Sequence, residues 1–253
     1  MGPDQTSRNA VPDLMGADGI WHHTPGPRAE SPADGHALVE TDPEPMTPEP
    51  SLEPIAPHDD AFVALYEATF PAWEREPTPR VLARLDAGRY RGERLTDPEG
   101  RIAGFYVADV PPGLGCTVLT FLAIAPGWRG GGLGVRLATA AARRFATEGP
   151  GAWLVVEAEP RPARLYARCG FRRLALDYRV PHYDDPAATQ AMALMVHPRQ
   201  QWATAIPGAT VARWVRQAFI DGYGLAAGDP RLTGQLERIP ERVRIEDAEL
   251  RSI

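Results

Sequence analysis

From residue 59 onward, apolar positions recur first at helical spacing and then at strand spacing. Asp59 and Asp60 precede Phe62, Val63, Leu65, Tyr66, Thr69 and Phe70, an apolar face that an aspartate can cap and Pro71 stops. Thr78-Pro79 opens a second helix with Val81, Leu82 and Leu85 inward, closed by Gly88. Residues 91–96 and 101–110 read as strands around the turn Asp97-Pro98-Glu99-Gly100, so a hairpin is expected there. Residues 116–125 predict a long central strand, 133–147 an alanine-rich helix, and 153–158 the next strand. A short helix carries Tyr166, and 174–180 with 191–197 form a closing antiparallel pair.

The ends of the chain behave differently. Residues 1–57 hold 11 of the 27 prolines, ten of the 33 acidic residues and two of the 27 arginines. That composition buries too little apolar surface to offset ordering entropy, so an acidic disordered tail is expected. The tail accounts for −8 of charge, which leaves the remainder slightly basic and points to no nucleic-acid partner. Residues 199–253 exceed what the central pattern needs. Val211, Trp214, Val215, Ala218, Phe219 and Tyr223 make an amphipathic helix face, with Leu232, Leu236 and Ile239 on a shorter one. This helical extension suits either a contact with a second copy, giving a homodimer, or a lid over a substrate site.

Chemistry concentrates where the central strand meets its helix. The run Ala125-Pro126-Gly127-Trp128-Arg129-Gly130-Gly131-Gly132-Leu133-Gly134 removes side chains from a strand-to-helix turn, and the first helical amides have no intrahelical acceptor. Such a turn holds an anion, and Arg129 adds a planar cationic fork suited to a pyrophosphate. The chain contains no lysine, which excludes Walker-type loops, kinase-type lysines and Schiff-base chemistry together. A dinucleotide fingerprint fails because Leu137 stands where its third glycine belongs. Cys116 and Cys169 show no metal or redox spacing, and the six histidines offer no ligand pattern, so no metal is expected. No apolar run reaches membrane-span length, and the N-terminus lacks a signal-peptide pattern; a soluble cytoplasmic protein without a membrane partner is expected.

Arg129-x-x-Gly132-x-Gly134, preceded by the apolar strand, resembles the acetyl-coenzyme-A signature of the GNAT family of N-acetyltransferases. The later segment Leu165-Tyr166-Ala167-Arg168-Cys169-Gly170-Phe171 resembles that family's closing signature, a tyrosine-bearing helix ending at Gly-Phe. The resemblance covers about residues 58–198 and implies an α/β mixed sheet of the GNAT fold. It implies acetyl-coenzyme A as cosubstrate, held by Arg129, Gly130, Gly131, Gly132, Leu133 and Gly134, with the backbone of Leu122, Ala123 and Ile124 gripping the pantetheine arm and thioester. It also implies Tyr166 as the acid that protonates the departing thiolate.

An amine acceptor arrives as ammonium and needs a base. Glu157 interrupts an otherwise apolar strand, and Glu159 lies two residues on; Glu74 and Glu76 lie between the first two helices. The loop Phe70-Pro71-Ala72-Trp73-Glu74-Arg75 resembles one found in family members, which adds weight to Glu74. Tyr178 and Tyr183 are candidate lining residues. A small-molecule primary amine is the favoured acceptor, acetylated by direct attack in a ternary complex. A non-catalytic acyl-coenzyme-A sensor would keep the same glycine turn, and a protein acting through its tail and C-terminal helix would bind a partner instead; both readings stay open at this level.

Overall fold

In the computed structural model, which describes residues 51–56 and 58–247, the expected hairpin forms one end of a ten-stranded sheet. Its strands β2 (Tyr90–Thr96) and β3 (Ile102–Asp109) pair antiparallel, and the Asp97 carboxylate closes the turn by accepting from the Arg101 amide at 2.8 Å. β1 (Ser51–Pro54) pairs antiparallel with the outer edge of β2. The expected tail boundary at residue 57 is therefore corrected. Residues 51–56 belong to the fold, and buried Ile55 packs in one cluster with Phe62 and Tyr66. Composition concealed this, because an edge strand tolerates proline at its end. The remainder of the tail, residues 1–50, lies outside the described residues.

α1 (Asp60–Thr69) is capped by Asp59, whose carboxylate accepts from the Phe62 amide at 3.0 Å. Together with α2 (Thr78–Asp86) it covers one face of the sheet, over Phe105, Val107, Phe121 and Ala123. The opposite face is covered by α3 (Leu133–Glu148) and α4 (Pro160–Arg168), which bury Leu119, Leu154, Val156 and Ala158. The order of the main sheet is β1-β2-β3-β4-β5-β8-β6-β10-β9. Here β4 is Cys116–Ile124, β5 Trp153–Ala158, β6 Arg172–Leu174, β8 Thr189–Pro198, β9 Ala205–Pro207 and β10 Arg242–Glu246. β7 (Tyr178–Pro181) pairs with β8 beside this path.

The expected closing pair is thus split in two, since both β6 and β7 pair with β8. The mixed α/β architecture is as the sequence implies, but the C-terminal segment is not purely helical. Its strands β9 and β10 extend the sheet through β6, while α5 (Gly208–Gln217) and α6 (Pro230–Glu237) bury Trp214, Phe219 and Leu232 against Leu174, Val180 and Leu194 of the same chain. Its apolar stripe is covered from within, which removes the reason to look for a second copy there.

Two irregularities in β4 position the site. Opposite β3, Val107 pairs with Phe121 and Ala108 with Leu119, so Thr120 is an extra residue, a β-bulge. Because side chains alternate, the bulge flips the parity of the strand. Cys116 and Val118 face the C-terminal cluster and Leu119 the α3 side, whereas beyond the bulge Phe121 and Ala123 face α1. Against β5, pairing is parallel and covers only Cys116–Trp153, Thr117–Leu154 and Val118–Val155. Past Val118 the two strands separate, which leaves the backbone of residues 119–124 unpaired on that side.

The root of this separation is pinned by glycine. Gly151, at φ +84°, sits so close to Gly115 that an added Cβ would come within 2.2 Å of the Gly115 carbonyl. Gly151→Ala is expected to destabilise the fold by about 3 kcal/mol, read as a lower urea midpoint at unchanged m-value, because backbone strain and overlap with rigid backbone add.

Candidate active site

The glycine turn follows β4 through a short 3-10 turn, Pro126–Trp128. Gly132 caps α3 at φ +78° and Gly130 has φ +89°, conformations that L side chains avoid. A Cβ at Gly130, Gly131 or Gly132 would meet nothing within 4 Å, so the turn is open on the side a ligand would use. Gly134 serves packing instead, since a Cβ there would lie 2.6 Å from Leu165 Cδ1 on α4. The first intrahelical bond runs from the Arg136 amide to the Gly132 carbonyl at 3.1 Å, which leaves Leu133, Gly134 and Val135 with the orphan amides of a helix start. Arg129 is exposed, and its Nε donates to the Ile124 carbonyl at 3.1 Å, holding the side chain over the strand end.

Leu122 and Ile124 face the α3 side and Ala123 the α1 side, with their backbone on the unpaired stretch of β4. Tyr166 sits on α4 within the α3-side cluster, buried edge-on to Phe171 at 5.4 Å. Its hydroxyl has no hydrogen-bond partner among the described residues. Burial is the main cause that drives its acidity well below that of free phenol, with the nearby Cys169 and Glu74 adding to the effect. The phenol is therefore protonated at neutral pH and competent only as a donor.

On the other face, Glu157 shares the parity of Val155 and turns toward the C-terminal segment. Tyr178 and Tyr223 donate to its two carboxylate oxygens, Tyr223 at 2.7 Å. Burial pushes the Glu157 carboxyl up, and the two phenols oppose that shift. Glu74 lies in the loop between α1 and α2. The ring of neighbouring Trp73 stacks on His182 at 4.8 Å, and its carbonyl accepts from the Tyr183 amide at 2.8 Å. Its carboxylate has no hydrogen-bond or ion-pair partner among the described residues. Burial first, then repulsion from Glu159 and Glu157, raises it to about 7.

Glu74, Asp109 and Glu157 line one cavity of about 80 Å³ with Thr120, Tyr183, Trp214 and Tyr223. No arginine among the described residues lines it, and Asp109 is already paired with Arg89, whose guanidinium donates to Asp109 Oδ2 at 2.9 Å. Two uncompensated carboxylates thus face a pocket whose floor is the β4 bulge. Tyr166 and the start of α3 lie on the other side of the sheet, across the separation of β4 and β5 from this cavity.

Two expected bases are not in the cavity wall. Glu76 is fully buried in a structural network: its Oε1 pairs with Arg80 at 3.0 Å and with Arg84 at 3.3 Å, and its Oε2 accepts from Tyr90 at 2.6 Å. Glu159 lies past the end of β5 as the residue preceding α4, and so does not share a strand face with Glu157. Sequence reasoning missed the roles of Tyr178 and Tyr223 as donors to Glu157. The signal available was an unusual strand glutamate, which a buried position obliges to find partners. Which partners depends on a chain reversal of some 60 residues. Asp221 was missed as well; Arg84 and Arg89 reach it from α2 and the start of β2, and Gln217 reaches it at 3.0 Å.

Residues 59–171 match the model of the acetyltransferase (GNAT) family. No curated protein matches the chain. Among solved structures, a GNAT-family protein from Bacteroides thetaiotaomicron shares the fold at TM-score 0.53 and 21% identity, covering 70% of this chain and 99% of its own. A spermidine N-acetyltransferase from Vibrio cholerae is similar at TM-score 0.49 and 16% identity over 60% of this chain and 96% of its own. A phosphinothricin acetyltransferase from Sinorhizobium meliloti is similar at TM-score 0.49 and 17% identity over 59% and 88%.

Proposed function

The chain carries an acetyltransferase domain of the GNAT family, and from that premise we propose that it moves an acetyl group from acetyl-coenzyme A to a cationic small-molecule primary amine. The observation that carries the acceptor class is the cavity with Glu74 and Glu157 on its wall and no arginine among the described residues that line it. A carboxylate pair without cations attracts an ammonium and repels an acidic substrate. The cosubstrate reading rests on the open turn at Gly130–Gly132, the orphan amides of α3 and Arg129, which suit a pyrophosphate. The backbone of Leu122, Ala123 and Ile124, on the stretch of β4 without a β5 partner, suits the pantetheine arm and thioester, and an amide aimed at the thioester oxygen would stabilise the charge that develops there.

Glu74 takes a proton from the ammonium. The freed lone pair forms a bond to the thioester carbonyl carbon, the carbon–sulfur bond breaks with its electrons on sulfur, and Tyr166 protonates that thiolate; the acylated nitrogen, cationic after attack, releases its second proton to water, which returns one to the Tyr166 phenolate. Glu157 acts differently, because its oxygens already accept from two phenols, which favour its charged form against the effect of burial; in that form it holds the incoming ammonium. Two carboxylates whose surroundings differ this much take different roles. A thiol-release screen over amines of differing charge tests the reading. Turnover is expected with mono- and dicationic amines and not with zwitterionic amino acids; turnover confined to acidic or zwitterionic acceptors would overturn it.

A further inference from the structure

We propose that Tyr223 is a positioning residue that fixes Glu157 as the anionic anchor for the acceptor's ammonium, which makes the C-terminal segment part of acceptor recognition. The inference rests on the amine reading above and adds what decides which amine fits. The family match ends at residue 171, yet the cavity wall includes Tyr183, Trp214, Gln217 and Tyr223 from beyond it. The donor side is thus built inside the matched region, and much of the acceptor wall outside it.

The geometry is specific. Tyr178 and Tyr223 donate to opposite oxygens of Glu157, so the carboxylate plane is held from both ends while each oxygen keeps a lone pair for a third donor. Tyr223 is itself held in place. Residues Ala218–Gly222 form a π-helical turn, closed by the Tyr223 amide on the Ala218 carbonyl at 2.9 Å. Such turns occur frequently at functional sites. The Gly222 carbonyl accepts from the Tyr183 hydroxyl at 3.2 Å and from Arg80 at 3.3 Å, and the Tyr223 ring packs on Tyr183 at 4.8 Å. Asp221, one residue before, is gripped by Arg84, Arg89 and Gln217.

The groups around Glu157 are the phenols Tyr178, Tyr223 and Tyr183 and the carboxyl of Glu74, with Glu159 beyond Glu74. Both donating hydroxyls favour the charged carboxylate, so removing one raises the pH at which Glu157 titrates.

The test compares wild type, Tyr223→Phe and Tyr178→Phe. Carboxyl-labelled glutamate is followed by carbon NMR, with the Glu157 resonance assigned from Glu157→Gln. In Tyr223→Phe the Glu157 midpoint is expected to move to higher pH, and KM for the amine to rise about tenfold, as for a lost charge-assisted hydrogen bond. KM for acetyl-coenzyme A is expected to hold, since that site lies across the sheet. Tyr178→Phe is expected to shift the midpoint the same way, which guards against a folding defect confined to the C-terminal turn. Wild-type turnover with an unmoved midpoint and unmoved amine KM in Tyr223→Phe overturns this proposal alone. Failure of wild type to acetylate any amine in the panel defeats the amine reading, and this proposal with it.

Discussion

Glu74→Gln is expected to lower kcat/KM for the amine about a thousandfold, the scale of a lost general base. Glu74 combines a cavity position, a carboxylate without hydrogen-bond or ion-pair partner among the described residues, and a carboxyl raised to about 7 by burial and by Glu159 and Glu157. In wild type, kcat/KM should therefore rise with pH through about 7 as Glu74 loses its proton, and fall at higher pH as the amine loses the ammonium charge that Glu157 holds. In the Gln variant the break near 7 should vanish while the upper one remains. A profile that keeps the lower break would assign the proton to another group.

Stability separates this result from simple unfolding. Glu74 binds its proton more tightly folded than unfolded, so its contribution to stability is full below the unfolded carboxyl range of about 4.5 and is lost as pH rises through about 7. Above that pH the wild type carries an unpaired, partly buried charge. The Gln variant removes the charge, so its melting temperature at pH 8 is expected to equal or exceed that of wild type while activity collapses. Strain of this kind at an active site is the usual trade of stability for function.

Tyr166→Phe is expected to lower kcat about a hundredfold with little change in either KM, because the hydroxyl acts only when the thiolate departs. Burial has raised the Tyr166 phenol beyond its ordinary range, which by itself makes it a weaker acid. The leaving thiolate forms in the same dry surroundings, however, and is made more basic by the same lack of solvation. The transfer replaces a buried thiolate by a buried phenolate, so the balance between the two is largely kept. The packing of the ring on Phe171 survives the substitution, so stability should hold. Full activity in a normally folded Tyr166→Phe protein would remove Tyr166 from the reaction. Restoration of the lost rate by thiol esters with more acidic leaving groups would instead support its role as the acid.

The glycine turn was readable in the chain because it is local. Gly130, Gly131 and Gly132, an arginine and a helix start within a few residues suit an anion, and the backbone conformations at Gly130 and Gly132 are those that only glycine adopts easily. The helix that carries Tyr166 and ends before Phe171 was readable for the same reason. The surroundings of the glutamates were not. Glu74 and Glu157 were legible as suspects, but so were Glu76 and Glu159. Glu76 is neutralised by Arg80 and Arg84 of the helix that follows it, and Glu159 falls beyond the strand end.

By itself, then, the sequence determined the order of elements from residue 60 to 171, the Asp59 cap and the glycine turn, since each depends on spacing and backbone preference over a few residues. Tertiary structure alone decided that residues 51–54 extend the sheet, that Thr120 bulges and so reverses the parity of β4, and that the C-terminal stripe covers its own domain. It alone brought Tyr178 and Tyr223 to the two oxygens of Glu157. The reason is physical: a carboxylate's protonation and role follow from the burial and hydrogen bonds around it, and those are supplied by residues 21 and 66 positions away along the chain.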